Sequence, residues 1–387
     1  MTIYSSRRGP KKLRVFEAFS GIGAQRAALE RLKQEYGFNY EVVGTSDWFI
    51  NAIIAYDAIH CSHMKKPEMP SRDEQIKYLK QFQFSLESVR PLKKVEFLPD
   101  ELRERLFVAN KRTKNLGSIT DVKGEEFPDC DLLIYSFPCQ DLSTGGNGAG
   151  MAKGSQTRSC LIWQIERILN ALATQERLPE YLLMENVNAI LAPRHKVELD
   201  KWLSFLKKIG YENDAPMTLN SKDFGVPQER HRTFIVSHLK SKLNVLQGMQ
   251  KTTQKINTMD FLRTDYSNPL FKAEADAASL NLTDSRKEMW RINGREISAD
   301  TVIHTITCNM DRTNTSVLFK YEDRIRRLTI REAFLMMGFN EEEYARLHTL
   351  GLSYRQENKL IGNAIVVNVL HEIFRVMFNV KPKEAMV

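Results

Sequence analysis

The sequence predicts an α/β protein, a parallel sheet with crossover helices followed by a second, smaller domain. Three observations predict it. Strand, glycine turn, helix and strand succeed one another over residues 13–60. Apolar strand-like runs return at 131–137, 181–184 and 233–237 with helical stretches between them, and this alternation stops at His238.

Taken in order, residues 13–19 form a half-apolar run that ends in Ser20-Gly21-Ile22-Gly23, and 24–33 have helical composition. Val42-Val43-Gly44 makes a second strand closing at Asp47-Trp48, before a helical stretch at 50–60. Residues 62–115 carry dense charge, scattered proline and helical fragments such as 100–111, and read as an insertion on the sheet's edge. The strand at 131–137 stops at Pro138, and a glycine-rich stretch, 143–150, follows; such a stretch cannot hold one conformation cheaply. An amphipathic helix at 161–173, a buried strand at 181–184, a helix at 199–209 ended by Gly210 and a late strand at 233–237 complete a first domain, 1–237. Basic residues outnumber acidic ones in 238–327, which has little helical period and reads as the smaller domain. Residues 328–339 are helical again, and the apolar run 365–378 is expected to dock back on the first domain, so 328–387 return to it.

Composition narrows the function classes. With 42% hydrophobic and 27% charged residues in 387, the chain is long enough for two or three folding units and is not disordered over most of its length. The apolar runs of the sequence fall short of the roughly 20 residues of a membrane helix. The first eight residues are basic without an apolar stretch behind them, so a cytoplasmic protein is expected. Five cysteines form no CxxC pair and no Cys/His cluster with zinc spacing, which suits a reducing compartment and predicts no metal. The net charge of +8 is compatible with a polyanionic partner.

Four strand ends carry candidate chemistry. Phe19-Ser20-Gly21-Ile22-Gly23 lies where a strand turns into a helix, a place for close ligand approach to the backbone. The third glycine of a dinucleotide fingerprint is replaced by Arg26, which argues against a nicotinamide or flavin. Asp47 can take two ribose hydroxyls and Trp48 can offer a face to a purine, so an adenosyl cofactor without a pyrophosphate is inferred. Cys139 in Pro138-Cys139-Gln140 would stand at the carboxyl edge of the sheet; a cysteine there is by itself more often packing than chemistry. Glu185 in Glu185-Asn186-Val187 closes the next buried strand, where a carboxylate is costly unless used or paired. Alternation puts Gln228, Arg230 and Arg232 on one face entering the late strand.

These motifs in this order, with Leu328-Thr329-Ile330-Arg331-Glu332 and then Gly362-Asn363-Ala364 before an apolar helix, resemble the C5-cytosine-specific DNA methyltransferase family. The stretches 16–19, 135–143 and 181–187 look most like its mollicute CG-methylating members. The resemblance covers nearly the whole chain except 62–115 and the recognition segment. It implies a Rossmann-like class I methyltransferase domain using S-adenosylmethionine, with 238–327 as a target-recognition domain and double-stranded DNA as partner. Cys139 then matches the nucleophile that adds to cytosine C6, and Glu185 the acid at N3. Asn186 and Arg232 match residues holding the ring edge and that acid, and Arg230 a neighbour of the same site.

For the cofactor, Phe19, Gly21, Ile22 and Gly23 match the first motif, and Asp47, Trp48, Ser118, Ile119 and Pro138 further contacts. Asn363 and Ala364 match the final motif. Ser118 stands where many members have aspartate, Ala364 where many have serine, and Asp47 where glutamate is usual. Gln140, Ser143, Arg158, Gln228, Thr305, Asn309 and Arg312 are the implied DNA contacts, and Gly145, Gly146, Gly150 and Gly154 the hinges of a catalytic loop. The target cytosine must be flipped from the duplex. CG is the target implied by analogy alone. A monomer acting beside a separate restriction endonuclease fits this reading. A tRNA cytosine methyltransferase of the same fold and a DNA-binding protein without catalysis are the rival readings.

Overall fold

The computed structural model describes residues 12–139, 142, 150–155, 157–280, 283–285, 287–288, 297–310, 317–322 and 324–381. Its strands are β1 (Leu13–Ala18), β2 (Tyr40–Ser46), β3 (Leu132–Tyr135), β4 (Tyr181–Val187), β5 (Tyr211–Asn213), β6 (Met217–Asn220), β7 (Gln228–Glu229), β8 (His231–Leu239), β9 (Ser279–Leu280), β10 (Ile303–His304), β11 (Leu318–Tyr321) and β12 (Arg324–Arg327). Its helices, as described, are α1 (Ala24–Tyr36), α2 (Ile50–Cys61), α3 (Arg72–Leu79), α4 (Asp100–Arg112), α5 (Ile162–Thr174), α6 (Pro193–Lys208), α7 (Pro269–Ala278), α8 (Ile330–Met336), α9 (Glu341–His348), α10 (Tyr354–Asn363) and α11 (Val367–Met377).

The chain divides into two compact units. The first comprises Met1–Leu219, His231–Gln250 and Leu370–Val387, and the second Asn220–Arg230 and Lys251–Val369. The sheet has the order β2-β1-β3-β4-β8-β5, with β6 also on β8. β1 to β4 pair in parallel as expected. The late strand β8 departs from the parallel arrangement, running antiparallel to both β4 and β5. No α-helix separates β5, β6 and β8, only a short 3-10 turn at Ser221–Phe224, and an antiparallel return needs no crossover. Because β8 is buried over Thr233–His238, its apolar run reads the same in either direction.

Burial of α5 and α6 against the sheet makes the core beneath the site. Ile165, Ile168 and Leu169 of α5 and Trp202 and Leu206 of α6 pack with Leu133, Tyr135, Leu182, Met184 and Ile235. Trp202 meets Tyr135 and Trp163 edge-on at 5.7 and 6.2 Å. Segment 62–115 lies along the outer strand β2, joined to it by a parallel bridge between Thr45 and Asn115. The helical run 354–377, the one stretch among the described residues long and apolar enough to cross a membrane, is broken between α10 and α11, and 67% of its apolar window is buried.

The second unit is held by charge as much as by apolar contact. Arg326 and Glu332, both fully buried, pair through two hydrogen bonds of 2.8 Å. Arg331 joins Glu274 at 2.8 Å and Glu341 at 2.6 Å, and Arg263 also pairs with Glu341. β7 pairs with β10, and β9, β12 and β11 form a small antiparallel sheet.

Candidate active site

Three adjacent strands of the first unit end or begin at the same edge. β3 and β4 are parallel with Tyr135 opposite Met184, so the residues that follow, Ser136 and Glu185, emerge together. β8 runs the other way and starts there, with Arg232 opposite Val187 and Phe234 opposite Glu185. Ser136 Oγ donates to Glu185 Oε2 at 2.8 Å, and Arg232 Nε lies 3.4 Å from Oε1. The carboxylate is therefore gripped on both oxygens by a neutral and a charged donor in a nearly dry setting, its side chain being 8% exposed. Asn186 Nδ2 donates to the Phe137 carbonyl at 3.0 Å, tying the end of β4 to the segment that carries Cys139. Ser159 Oγ donates to the Pro138 carbonyl at 2.8 Å, and Leu142 N–H to the Cys139 carbonyl at 3.0 Å. Cys139 itself is half-buried.

The glycine turn after β1 is built as the sequence demands. Phe19, Gly21 and Gly23 all have positive φ, 56°, 55° and 76°. A Cβ on Gly23 would fall 2.5 Å from His60 Nε2, whereas one on Gly21 would meet nothing within 4 Å. His60 Nε2 bonds the Ile22 carbonyl at 2.9 Å, fixing the turn from below. Asp47 accepts the Gly21 N–H at 2.9 Å and the Phe49 N–H at 2.8 Å. Burial raises its carboxyl above the ordinary aspartate value, and these N–H groups oppose the rise. Trp48 follows it, and Ser118, with Ile119 beside it, is 8% exposed. Arg158 begins a short 3-10 turn ahead of α5.

Of the remaining predicted residues, Gly150 and Gly154 belong to the first unit and the others stand in the second unit or outside the described residues. Arg230 is buried, and its guanidinium donates to the carbonyls of Ile306, Gly362 and Ala364 at 2.7, 3.0 and 2.8 Å. It thus organises the Gly362-Asn363-Ala364 turn, whose Asn363 is exposed. Gln228, expected to touch DNA, is instead fully buried. Its amide donates to the Met336 carbonyl at 3.0 Å and accepts the Ile306 N–H at 2.9 Å. Alternation grouped it with Arg230, and the two do share a buried face, both bonding the backbone of Ile306 beside the β7–β10 pair. Thr305 donates its hydroxyl to the Glu229 carbonyl at 2.8 Å, and Asn309 is exposed. Gln140, Ser143, Gly145, Gly146 and Arg312 lie outside the described residues; Gly150 and Gly154 have φ of 78° and 81°. Sequence reasoning missed Ser136 and Ser159, since the register of β3 and β4 brings the first to Glu185 and the 3-10 turn ahead of α5 brings the second to Pro138. Among the described residues no group of three or more His, Cys, Asp or Glu side chains could hold a metal ion.

The pattern of the C-5 cytosine-specific DNA methylase family matches residues 98–379. The orphan methyltransferase M.SssI of Spiroplasma monobiae is 36% identical over 385 residues, 94% of this chain and 96% of its own. The type II methyltransferase M2.ScrFI of Lactococcus lactis subsp. cremoris is 30% identical, over 95% of this chain and 99% of its own. Among solved structures, S. pombe Dnmt2 methyltransferase superposes with a TM-score of 0.63 at 19% identity, covering 95% of this chain and 99% of that one, a likeness of fold. The chain belongs to the C-5 cytosine-specific DNA methylase family and is an enzyme of DNA methylation.

Proposed function

We propose that the enzyme moves a methyl group from S-adenosylmethionine to C5 of a cytosine flipped out of double-stranded DNA, within one short sequence context. The observation that carries this reading is the convergence of β3, β4 and β8, which deliver the Cys139 segment, Glu185 and Arg232 to one sheet edge. The cofactor fits the turn beside that edge. Gly21 borders open space, Asp47 offers a carboxylate for ribose hydroxyls and Trp48 a face for adenine, with Ser118, Ile119, Phe19, Ile22 and Pro138 completing the set on the family pattern. That pattern adds Asn363 and Ala364. S-adenosylmethionine supplies an electrophilic sulfonium methyl when bound.

The chain's own residues do the rest. The Cys139 thiolate adds to C6, forming a C–S bond and pushing an electron pair toward N3. Glu185, held by Ser136 and Arg232, meets that charge at N3 with a hydrogen bond or proton. C5 becomes enamine-like and takes the methyl. A base then removes the C5 proton, and the electron pair left behind expels Cys139 by β-elimination. Arg230 acts through the backbone turns it ties. Unstacking the base costs a few kcal/mol, which contacts to DNA must offset; Arg158 and Asn309 are the described candidates, with Gln140, Ser143 and Arg312 beyond them. The modification protects DNA in the cytoplasm beside a separately acting restriction endonuclease, and the enzyme works as a monomer.

The test is incorporation of tritiated methyl from S-adenosylmethionine into unmethylated duplex DNA, with tRNA in parallel and bisulfite sequencing of the product. Label at cytosine in one duplex context is expected and would supply the target site. Label in tRNA alone moves the enzyme to RNA, and label in neither favours a DNA-binding protein without catalysis.

A further inference from the structure

Segment 62–115 has no part in the chemistry above, yet it touches the cofactor side of the first unit at three points. The first is Asn115, 2% exposed, which follows α4. Its Oδ1 accepts the Asp47 N–H at 2.8 Å and its Nδ2 donates to the Asp47 carbonyl at 3.0 Å. One side-chain amide thus satisfies both poles of a single residue's backbone, as a neighbouring strand would. Nδ2 also donates to Oδ1 of Asn110, fully buried on α4, at 2.8 Å, so the amide's orientation is set from within the segment.

The second point is the stretch 82–85. Ser85 donates its N–H to the Trp48 carbonyl at 2.6 Å and accepts the Ile50 N–H at 3.0 Å, while the Gln83 carbonyl accepts the Ser118 N–H at 3.2 Å. The same four residues therefore fasten Trp48 and Ser118. The third is Phe82, whose Cβ would lie 2.9 Å from a Cβ placed on Gly117, a residue of φ +69° just past the segment whose carbonyl accepts the Ser46 hydroxyl at 2.8 Å. A cover for the edge of β2 would need only the pairing of Lys114 and Leu116 with Thr45. It would not need an amide on both sides of Asp47 or a strap joining Trp48 to Ser118.

We propose that segment 62–115 is a positioning frame for the adenosyl half of the cofactor, with Asn115 as its positioning residue. This rests on the reading of Asp47, Trp48 and Ser118 given above. The Asp47 carboxylate holds Gly21 from one side, and Asn115 holds the Asp47 backbone from the other. Loss of that hold lets Asp47 and Trp48 drift and weakens cofactor binding, and it leaves the Cys139 edge as it was.

The test uses the full chain, with S-adenosylhomocysteine affinity measured by calorimetry beside steady-state kinetics, DNA binding and melting. Asn115→Ala is expected to raise the Kd for S-adenosylhomocysteine and the KM for S-adenosylmethionine about tenfold, from two lost hydrogen bonds partly replaced by water. Its kcat at saturating cofactor and its DNA affinity should stay within twofold of wild type. Arg103→Met is the structural control, because Arg103 is buried among partners inside the segment, Gln75 and Asp100. It should lower the melting temperature and leave the S-adenosylhomocysteine Kd unchanged. Asn115→Asp, of the same shape, sets a carboxylate oxygen against the Asp47 carbonyl in place of the amide donor and should shift KM in the same direction if Asn115→Ala does not fold. Unchanged affinity in the Asn115 variants, or an equal loss in Arg103→Met, overturns the frame while the cofactor reading stands. Wild type that binds no S-adenosylhomocysteine overturns the cofactor reading and the frame together.

Discussion

Cys139 lies half-buried beyond the end of β3, and in the proposed mechanism its thiol acts only after a cytosine is in place. Cys139→Ala should therefore reduce methyl transfer roughly a thousandfold or more while duplex affinity, read by gel shift, changes little. Loss of affinity in that variant would mean the thiol takes part in recognition. Cys139 was legible as a candidate through the order of the motifs around it, since Pro-Cys-Gln after a buried strand reads by itself more often as packing. The grip on Glu185 by Ser136 was not, because it depends on how two strands are registered. Glu17 on β1 makes a second residue-scale case. It is fully buried beside Arg26 and Tyr56, and burial pushes its carboxyl up to about 7 against their pull. The folded chain then holds a proton that the unfolded chain releases between about pH 4.5 and 7, so stability falls as pH rises through that window and stays lower above it. The cost above pH 7 is of the order of 3 kcal/mol at most. Glu17→Gln should raise the melting temperature at pH 8 and change it little at pH 4.5. An equal effect at both would show that Glu17 does not titrate in this window.

α8 shows how an element's end can be read and its tertiary role missed. Thr329 and Glu332 form a capping box, a Thr-x-x-Glu spacing visible in the sequence. The same carboxylate also takes both branches of Arg326, six residues before it across the turn from β12, and the Arg263 N–H at 2.9 Å from a segment 69 residues away, contacts that the capping pattern does not announce. Glu332→Gln leaves the Arg326 guanidinium buried without its counter-charge. It should cost about 3–5 kcal/mol in the unfolding of the second unit. Urea denaturation checks this; a change below about 1 kcal/mol would mean that water or a neighbouring carboxylate replaces the pair. α6 errs in the other direction. Its helix begins at Pro193, earlier than the apolar period suggests, since proline is favoured in the first turn even though it breaks helices further in. β8 was located correctly, but its direction was hidden by burial of both faces.

For the whole molecule, the alternation of strands and helices made the first unit legible, whereas the second joins short strands to short helices through charged pairs that follow no period. The loss of alternation after His238 marks out 238–327, and that stretch has its main partners beyond its own end. Arg263 pairs with Glu341, Glu274 with Arg331, and Arg326 with Glu332. Arg230 and Gln228, which precede it, tie Ile306 to Gly362, Ala364 and Met336. A fragment of 238–327 would keep the three basic or acidic halves of these pairs and lose the other three. It would be left with charges that must stay solvated and too few apolar contacts to offset chain entropy. Expressed alone, it should show no cooperative thermal transition by circular dichroism and no sequence-selective DNA binding. A sharp transition would mean that the buried pairs with α8 and α9 are dispensable, and that recognition folds on the contiguous stretch by itself.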